Sequence, residues 1–226
     1  MTGIRLLSIL ALGAAAATAC FWRKPPALDP AAPHFAAAAP DSFDVEMQTT
    51  KGVITTRIRR HWSPNGADRF YALVRSGFYT DVAFHRTMRN FVAQFGIHGD
   101  SAVNAAWSPR SLWLEDDSVR ASNKRGTLTF ARGGANSRAT QLYFNLVDNA
   151  RLDTANGYGF PPIGEVVRGI EVLDSLNWEY SGTRGGETFP GPSQDSLRRR
   201  GNAYLQRHFP RIDYILAARI VKRWGK

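Results

Sequence analysis

The sequence predicts a mainly β protein, one globular domain built as a closed, mostly antiparallel barrel with two or three helices. Two observations carry that expectation. Short runs of strand character crowd residues 43–58, 82–95, 126–147 and 163–167, with only two good helical stretches among them, whereas a doubly wound parallel sheet needs a helix after each strand. The 226 residues, 43% of them hydrophobic, are enough to fill one substantial core.

Residues 43–48 (FDVEMQ) and 53–58 (VITTRI) read as a hairpin, with Gly52 supplying the unusual backbone angle of the turn. Ser63-Pro64 reads as a capping serine followed by a proline suited to a first helical turn. Residues 65–77 then place Phe70, Leu73 and Val74 on one stripe before Gly77 ends the helix. Strands are expected in 126–132, 140–147 and 163–167, and a second helix in 169–177. Residues 180–194 are rich in Gly, Thr and Pro and read as a loop, 195–209 as a helix despite Gly201, and 212–221 as a closing strand apolar enough to be mostly buried.

Residues 1–19 have an early Arg5, an apolar run from Leu6 and small residues up to the cleavage point, the pattern of a signal peptide. The run is too short and Ala-rich for a membrane-spanning helix. Cys20 is the only cysteine, so no internal disulfide can form. Its position after Ala17-Thr18-Ala19 resembles a bacterial lipobox, whose cysteine takes a lipid, although Ala17 stands where such boxes usually carry Leu; ordinary cleavage at Ala-x-Ala would cut the same bond and leave a free thiol. Lipidation of Cys20 is the expectation, because an exposed thiol is a liability in an oxidising compartment. Residues 20–41, dominated by Pro and Ala, read as an extended tether holding a 42–226 domain off a membrane, in the periplasm or cell envelope. The net charge of +10 is mostly scattered arginine, with its largest cluster at Arg198-Arg199-Arg200. It reads as a solvated basic surface suited to anionic membranes or partners, and no nucleic acid is expected.

One stretch stands out, residues 78–96 (FYTDVAFHRTMRNFVAQFG). Strand parity puts Val82, Phe84, Arg86 and Met88 on one face, where a guanidinium must be paired, solvated at a strand end, or placed at a concave site for use. Parity also joins Val92 with Gln94 and Gln141 with Tyr143, while Leu142 and Phe144 point the other way, to a core. An apolar wall carrying a few hydrogen-bonding groups is the composition of a small-ligand groove.

That stretch, followed by GTLTFARGGANSRATQLYFNL and LDTANGYGFPPIGEVVRGIEVLDSL, resembles the cyclophilin-type peptidyl-prolyl cis–trans isomerases in order and spacing, over about residues 43–178 and again in the last strand. The resemblance implies a closed eight-stranded barrel, isomerase activity on proline-containing polypeptides and no cofactor. It implies Arg86 as the catalytic group, with Phe91, Val92, Gln94, Ala131, Arg132, Gly133, Gln141, Tyr143, Leu152 and Phe160 binding substrate. Phe160 stands in place of the pocket histidine, Arg132 in place of an asparagine, and Arg89 where proline is common. Arg151 falls near the tryptophan of cyclosporin-sensitive members, which implies weak cyclosporin binding. Residues 180–209 have no counterpart in the family core and read as an insertion of loop and helix. A monomer is expected.

Rival chemistries have little support. The five histidines, His34, His61, His85, His98 and His208, lack metal-ligand spacing, so no metal is expected, and His85 faces away from Arg86. Residues 132–137 (RGGANS) lack the phosphate-loop ending, and no Gly-x-Ser-x-Gly accompanies the histidines. The remaining alternative is a module that keeps the groove but has lost turnover, serving as a peptide-binding chaperone or scaffold.

Overall fold

The computed structural model describes residues 29–31, 33–184, 187–189 and 191–225. The proposed signal peptide and Cys20 lie outside them. Along the chain run β1 (Ser42–Thr49), β2 (Gly52–Arg59), α1 (Pro64–Arg75), β3 (Val82–Ala83), β4 (Arg86–Thr87), β5 (Val92–Phe95), α2 (Ser101–Ala106), β6 (Thr127–Phe130), β7 (Leu142–Asn145), β8 (Pro162–Arg168), α3 (Ile170–Asp174), β9 (Gly182–Arg184), β10 (Glu187–Phe189), α4 (Gln194–His208) and β11 (Tyr214–Trp224). Nine strands form one sheet in the order β3-β11-β1-β2-β8-β6-β7-β5-β4, and β9 and β10 make a separate pair.

The expected closed eight-stranded barrel is corrected by this order: the sheet is a curled, nine-stranded half-barrel, and its ladder is open between β3 and β4. The reason is local. Both edges come from one segment, 82–87; Phe84 N–H still bonds Asp213 O at 2.9 Å toward β11, whereas Arg86 pairs with Gln94 of β5. A segment this short cannot turn to pair with itself, so it curls the sheet by serving one end and then the other.

The core-facing side of the sheet carries Phe43, Val45, Met47, Ile54, Ile58, Phe95, Leu128, Phe130, Leu142 and Phe144, and α1 adds Phe70, Leu73 and Val74 to the same cluster. Phe84, Phe95 and Phe144 follow one another with centroids 5.5 and 5.7 Å apart. Two local expectations need correction. Ser63 does not cap α1 with its own side chain; the first-turn amides of Asn65 and Gly66 donate to Asp117, each at 3.1 Å, and Ser63 Oγ donates to the same carboxylate. The last strand is mostly exposed, not mostly buried, because only Ile215 is fully covered. Bulges against β1 leave Leu216 and Val221 as the extra, unpaired residues and turn both outward.

At the other end of the described chain, Phe35 meets Trp107 edge to face at 5.0 Å and Ala39 N–H donates to Asp68 at 2.8 Å, so residues 35–39 lie against the domain. A second, smaller core lies under α4. Leu197 and Leu205 of α4 pack with Ala83, Ile97 and Ile212, and Gly201 interrupts α4 at φ +60°, ψ −155°.

Candidate active site

Register builds the site. Arg86 of β4 lies opposite Gln94 of β5, Gln94 opposite Tyr143 of β7, and Tyr143 opposite Thr129 of β6, so four strands put these residues in one cross-strand row on one face. The neighbouring row, Ala93, Phe144 and Leu128, faces the core. Gln141, two residues before Tyr143, shares its face.

Arg86 Nη1 donates to Gln94 Oε1 at 3.3 Å, and Gln94 Nε2 donates to Gln141 Oε1 at 2.9 Å. The Arg86 guanidinium sits 5.7 Å from the centre of the Phe91 ring and, among the described residues, has no carboxylate partner within 4.0 Å. Burial draws its pKa below the usual arginine value, yet a guanidinium keeps its charge. The sheet therefore offers a half-buried cation beside an aromatic ring, aimed by an amide and not neutralised by an acid.

Phe91 is the ring beside it, and Tyr143, opposite Gln94, carries the surface on to Phe160 and Leu152. Tyr143 and Phe160 meet edge to face at 6.3 Å, Phe160 N–H donates to Leu152 O at 2.8 Å, and Arg151 lies over Phe91 at 4.8 Å. Val92 is buried one pair along β5. The turn before β5 closes without a proline: Phe91 N–H bonds Met88 O at 2.8 Å, and the Arg89 guanidinium lies over Trp178 at 5.3 Å.

Sequence reasoning missed what holds this surface. Asn123 is fully buried; its Oδ1 accepts from Thr129, Asn145 and Tyr143 at 3.0, 3.1 and 3.3 Å, and its Nδ2 donates to Asp153 Oδ1 and Phe160 O, each at 2.8 Å. Asn149 Nδ2 donates to Phe91 O at 3.0 Å. Burial works against the Asp153 charge, but hydrogen bonds from Ser122 and Asn123 hold its carboxyl below the usual range. An asparagine in a loop has many bland roles, so no local pattern identified this hub.

The segment carrying Ala131, Arg132 and Gly133 is clamped from behind. The Arg132 side chain is covered, pairing with Asp116 at 2.5 Å and stacking 4.2 Å from Tyr158 and 4.9 Å from Phe160. Arg138, also fully covered, pairs with Asp116 and Asp117 at 3.3 and 3.0 Å. Ala131, Arg132 and Gly133 line a cavity of about 760 Å³ shared with Gln94 and Gln141. At its end Gly96, at φ +103°, passes so close to Gln141 that a Cβ would lie 2.3 Å from Thr140 O. His85 is buried behind Arg86, and burial, with Arg198 and Arg86 adding repulsion, pushes its pKa down to about 3. It stays neutral near pH 7.

The comparisons agree with one another. The model of the family "Cyclophilin type peptidyl-prolyl cis-trans isomerase/CLD" matches residues 44–190. Over 142 residues the chain is 33% identical to peptidyl-prolyl cis-trans isomerase A of Dickeya dadantii, covering 62% of this chain and 74% of the relative. It is 31% identical over 153 residues to an isomerase of Streptomyces antibioticus, covering 65% and 90%. Among solved structures, the fold is similar to a Cryptosporidium parvum cyclophilin, with TM-score 0.58, 17% identity and coverage of 81% and 99%. The same parasite protein in the presence of the dipeptide Ala-Pro gives TM-score 0.56, 17% identity and coverage of 80% and 99%.

Proposed function

The chain belongs to the cyclophilin-type peptidyl-prolyl cis–trans isomerase family, and from that premise we propose that the Arg86 groove is where its catalysis of X-Pro rotation takes place. Peptide-bond resonance sets a rotation barrier of roughly 18–20 kcal/mol, and X-Pro bonds populate both isomers. No covalent bond breaks, so the enzyme need only bind the twisted amide better than either planar form. As the bond twists, the proline nitrogen pyramidalises and gains a lone pair that can accept a hydrogen bond. Arg86 is the donor for it; Phe91, Val92, Tyr143, Leu152 and Phe160 hold the pyrrolidine ring, and Gln94, Gln141 and the backbone of Ala131, Arg132 and Gly133 hold the chain on one side while the other turns.

The observation that carries this reading is the row itself: an arginine without an acid partner among the described residues, hydrogen-bonded to Gln94 and beside an aromatic ring. The test is acceleration of cis–trans exchange in a short X-Pro peptide by the wild-type protein. Peptide binding without acceleration would instead mark a chaperone or scaffold.

The place of action is part of the proposal. Residues 1–20 support export and a lipid on Cys20, which would confine the enzyme to the periplasm or cell envelope and make exported proteins its clients. Mass spectrometry of the mature N-terminus decides it: diacylglycerol on Cys20 is expected, and an unmodified thiol would remove the anchor.

A further inference from the structure

The cavity of about 760 Å³ is not lined by Phe91, Leu152, Tyr143 or Phe160; it adjoins the proline site through Gln94 and Gln141. Two of its walls come from outside the barrel, Arg110 after α2, and Gln194 and Arg198 on α4 of the insertion. We propose that this chamber is a subsite for an acidic side chain of the polypeptide substrate, and that the insertion sets this specificity by placing Arg198 there. The inference rests on the reading of the Arg86 groove as the prolyl site.

Charge is the first argument. Three arginines and no carboxylate line the chamber among the described residues. Arg132 is already neutralised by Asp116, which leaves Arg110 and Arg198. Arg110 lies over Trp113 at 5.4 Å, with no carboxylate within 4.0 Å among the described residues. Arg198 has one weak carboxylate partner among the described residues, Asp195 at 3.5 Å, whose side chain is 72% exposed. Like charges on a concave wall with apolar neighbours such as Ile97 and Trp113 concentrate potential where an anionic group would enter.

Position is the second. Gln194 Oε1 accepts from Arg198 Nη2 at 3.0 Å and from Gln141 Nε2 at 3.4 Å, so hydrogen bonds run unbroken from Arg86 through Gln94, Gln141 and Gln194 to Arg198. The Arg198 end is fixed to the barrel side as well, because Asn104 Nδ2 donates to Arg198 O at 3.4 Å and Leu197 is buried against Ile97. Arg198 also adds to the repulsion felt by His85, the neighbour of Arg86, which places its charge within electrostatic reach of the catalytic strand. An extended peptide advances roughly 3.3 Å per residue, so a residue two or three positions from the proline is the one to reach past two glutamine side chains.

The test uses short single-proline peptides with Glu, Gln or Lys placed two or three residues from the proline on either side. Affinity is read by NMR titration and turnover by exchange spectroscopy. In wild type at low salt, Glu at one of these positions should bind about tenfold tighter than Gln, and added salt should erode the preference. Arg198→Lys should retain most of it, the Arg110→Ala/Arg198→Ala pair should bring it below about twofold, and Arg198→Glu should shift preference toward Lys, which loss of packing alone would not do. Equal affinity for Glu and Gln peptides at every position, or a preference that survives the double variant, overturns the proposal. Selective binding without turnover would instead sink the isomerase reading and leave the subsite standing.

Discussion

Arg86 shows how far single residues can be read. Parity put Arg86 on the same apolar face as Val82 and Phe84, and the structure corrects that: Phe84 packs on Phe95 in the core, whereas the chain leaves strand geometry between β3 and β4 and sets Arg86 opposite Gln94 on the other face, with an amide and a ring as neighbours and the described carboxylates away from it. Asn123 shows the opposite case: its five side-chain hydrogen bonds come from β6, β7 and the 153–160 loop, and no sequence period joins those segments. Asn123→Ala would strand buried donors on Thr129, Tyr143 and Asn145, so it should destabilise by about 3 kcal/mol, measured by denaturant unfolding. His85 gives a pH prediction. Its folded pKa, near 3, lies below the unfolded value of about 6.5, so on acidification the unfolded chain takes up the proton first. Stability should therefore fall as pH drops below about 6.5, by up to ~1.4 kcal/mol per unit from this group, and level off near the folded pKa. His85→Gln should flatten that part of the wild-type profile.

At the scale of elements, strand and helix positions were legible where periodicity is strong. The 43–58 hairpin, the first helix and the 126–147 strands fall where the pattern puts them. What escaped was tertiary. Asp117 caps α1 from more than fifty residues away, and in β11 the apolar alternation is broken by bulges that expose Leu216 and Val221. On that account Leu216→Glu should change stability by less than about 0.5 kcal/mol, whereas Ile215→Ala should cost about 2–5 kcal/mol. Gly201 makes the kink in α4: a Cβ there would lie 2.1 Å from Gly99 O, and the backbone angles are essentially reserved to glycine. Gly201→Ala should loosen α4 from the barrel, seen as faster amide exchange in 194–208 than in β5 and β7, whose ladder bonds should keep their protection.

At the scale of the whole molecule, the family resemblance was visible in the sequence but the way the sheet ends was not. Two strands of two residues each are below the reach of any periodicity, and it is their sharing of one segment that turns an expected closed barrel into a half-barrel. The same segment carries Arg86, so the place where the ladder is interrupted is also where a guanidinium can face a groove. Ser181, Gly191, Pro192 and Gln194 sit on that edge, lining a small cavity with His85 and Arg86, and they give the open end of the sheet a cover.

The most direct measurement compares wild type and Arg86→Ala on one X-Pro peptide, with exchange rate and affinity read in the same NMR experiment. If Arg86 bonds the proline nitrogen only in the twisted state, kcat should fall roughly a hundredfold or more while peptide affinity changes by less than about threefold. Equal catalytic rates in the two proteins would contradict the account.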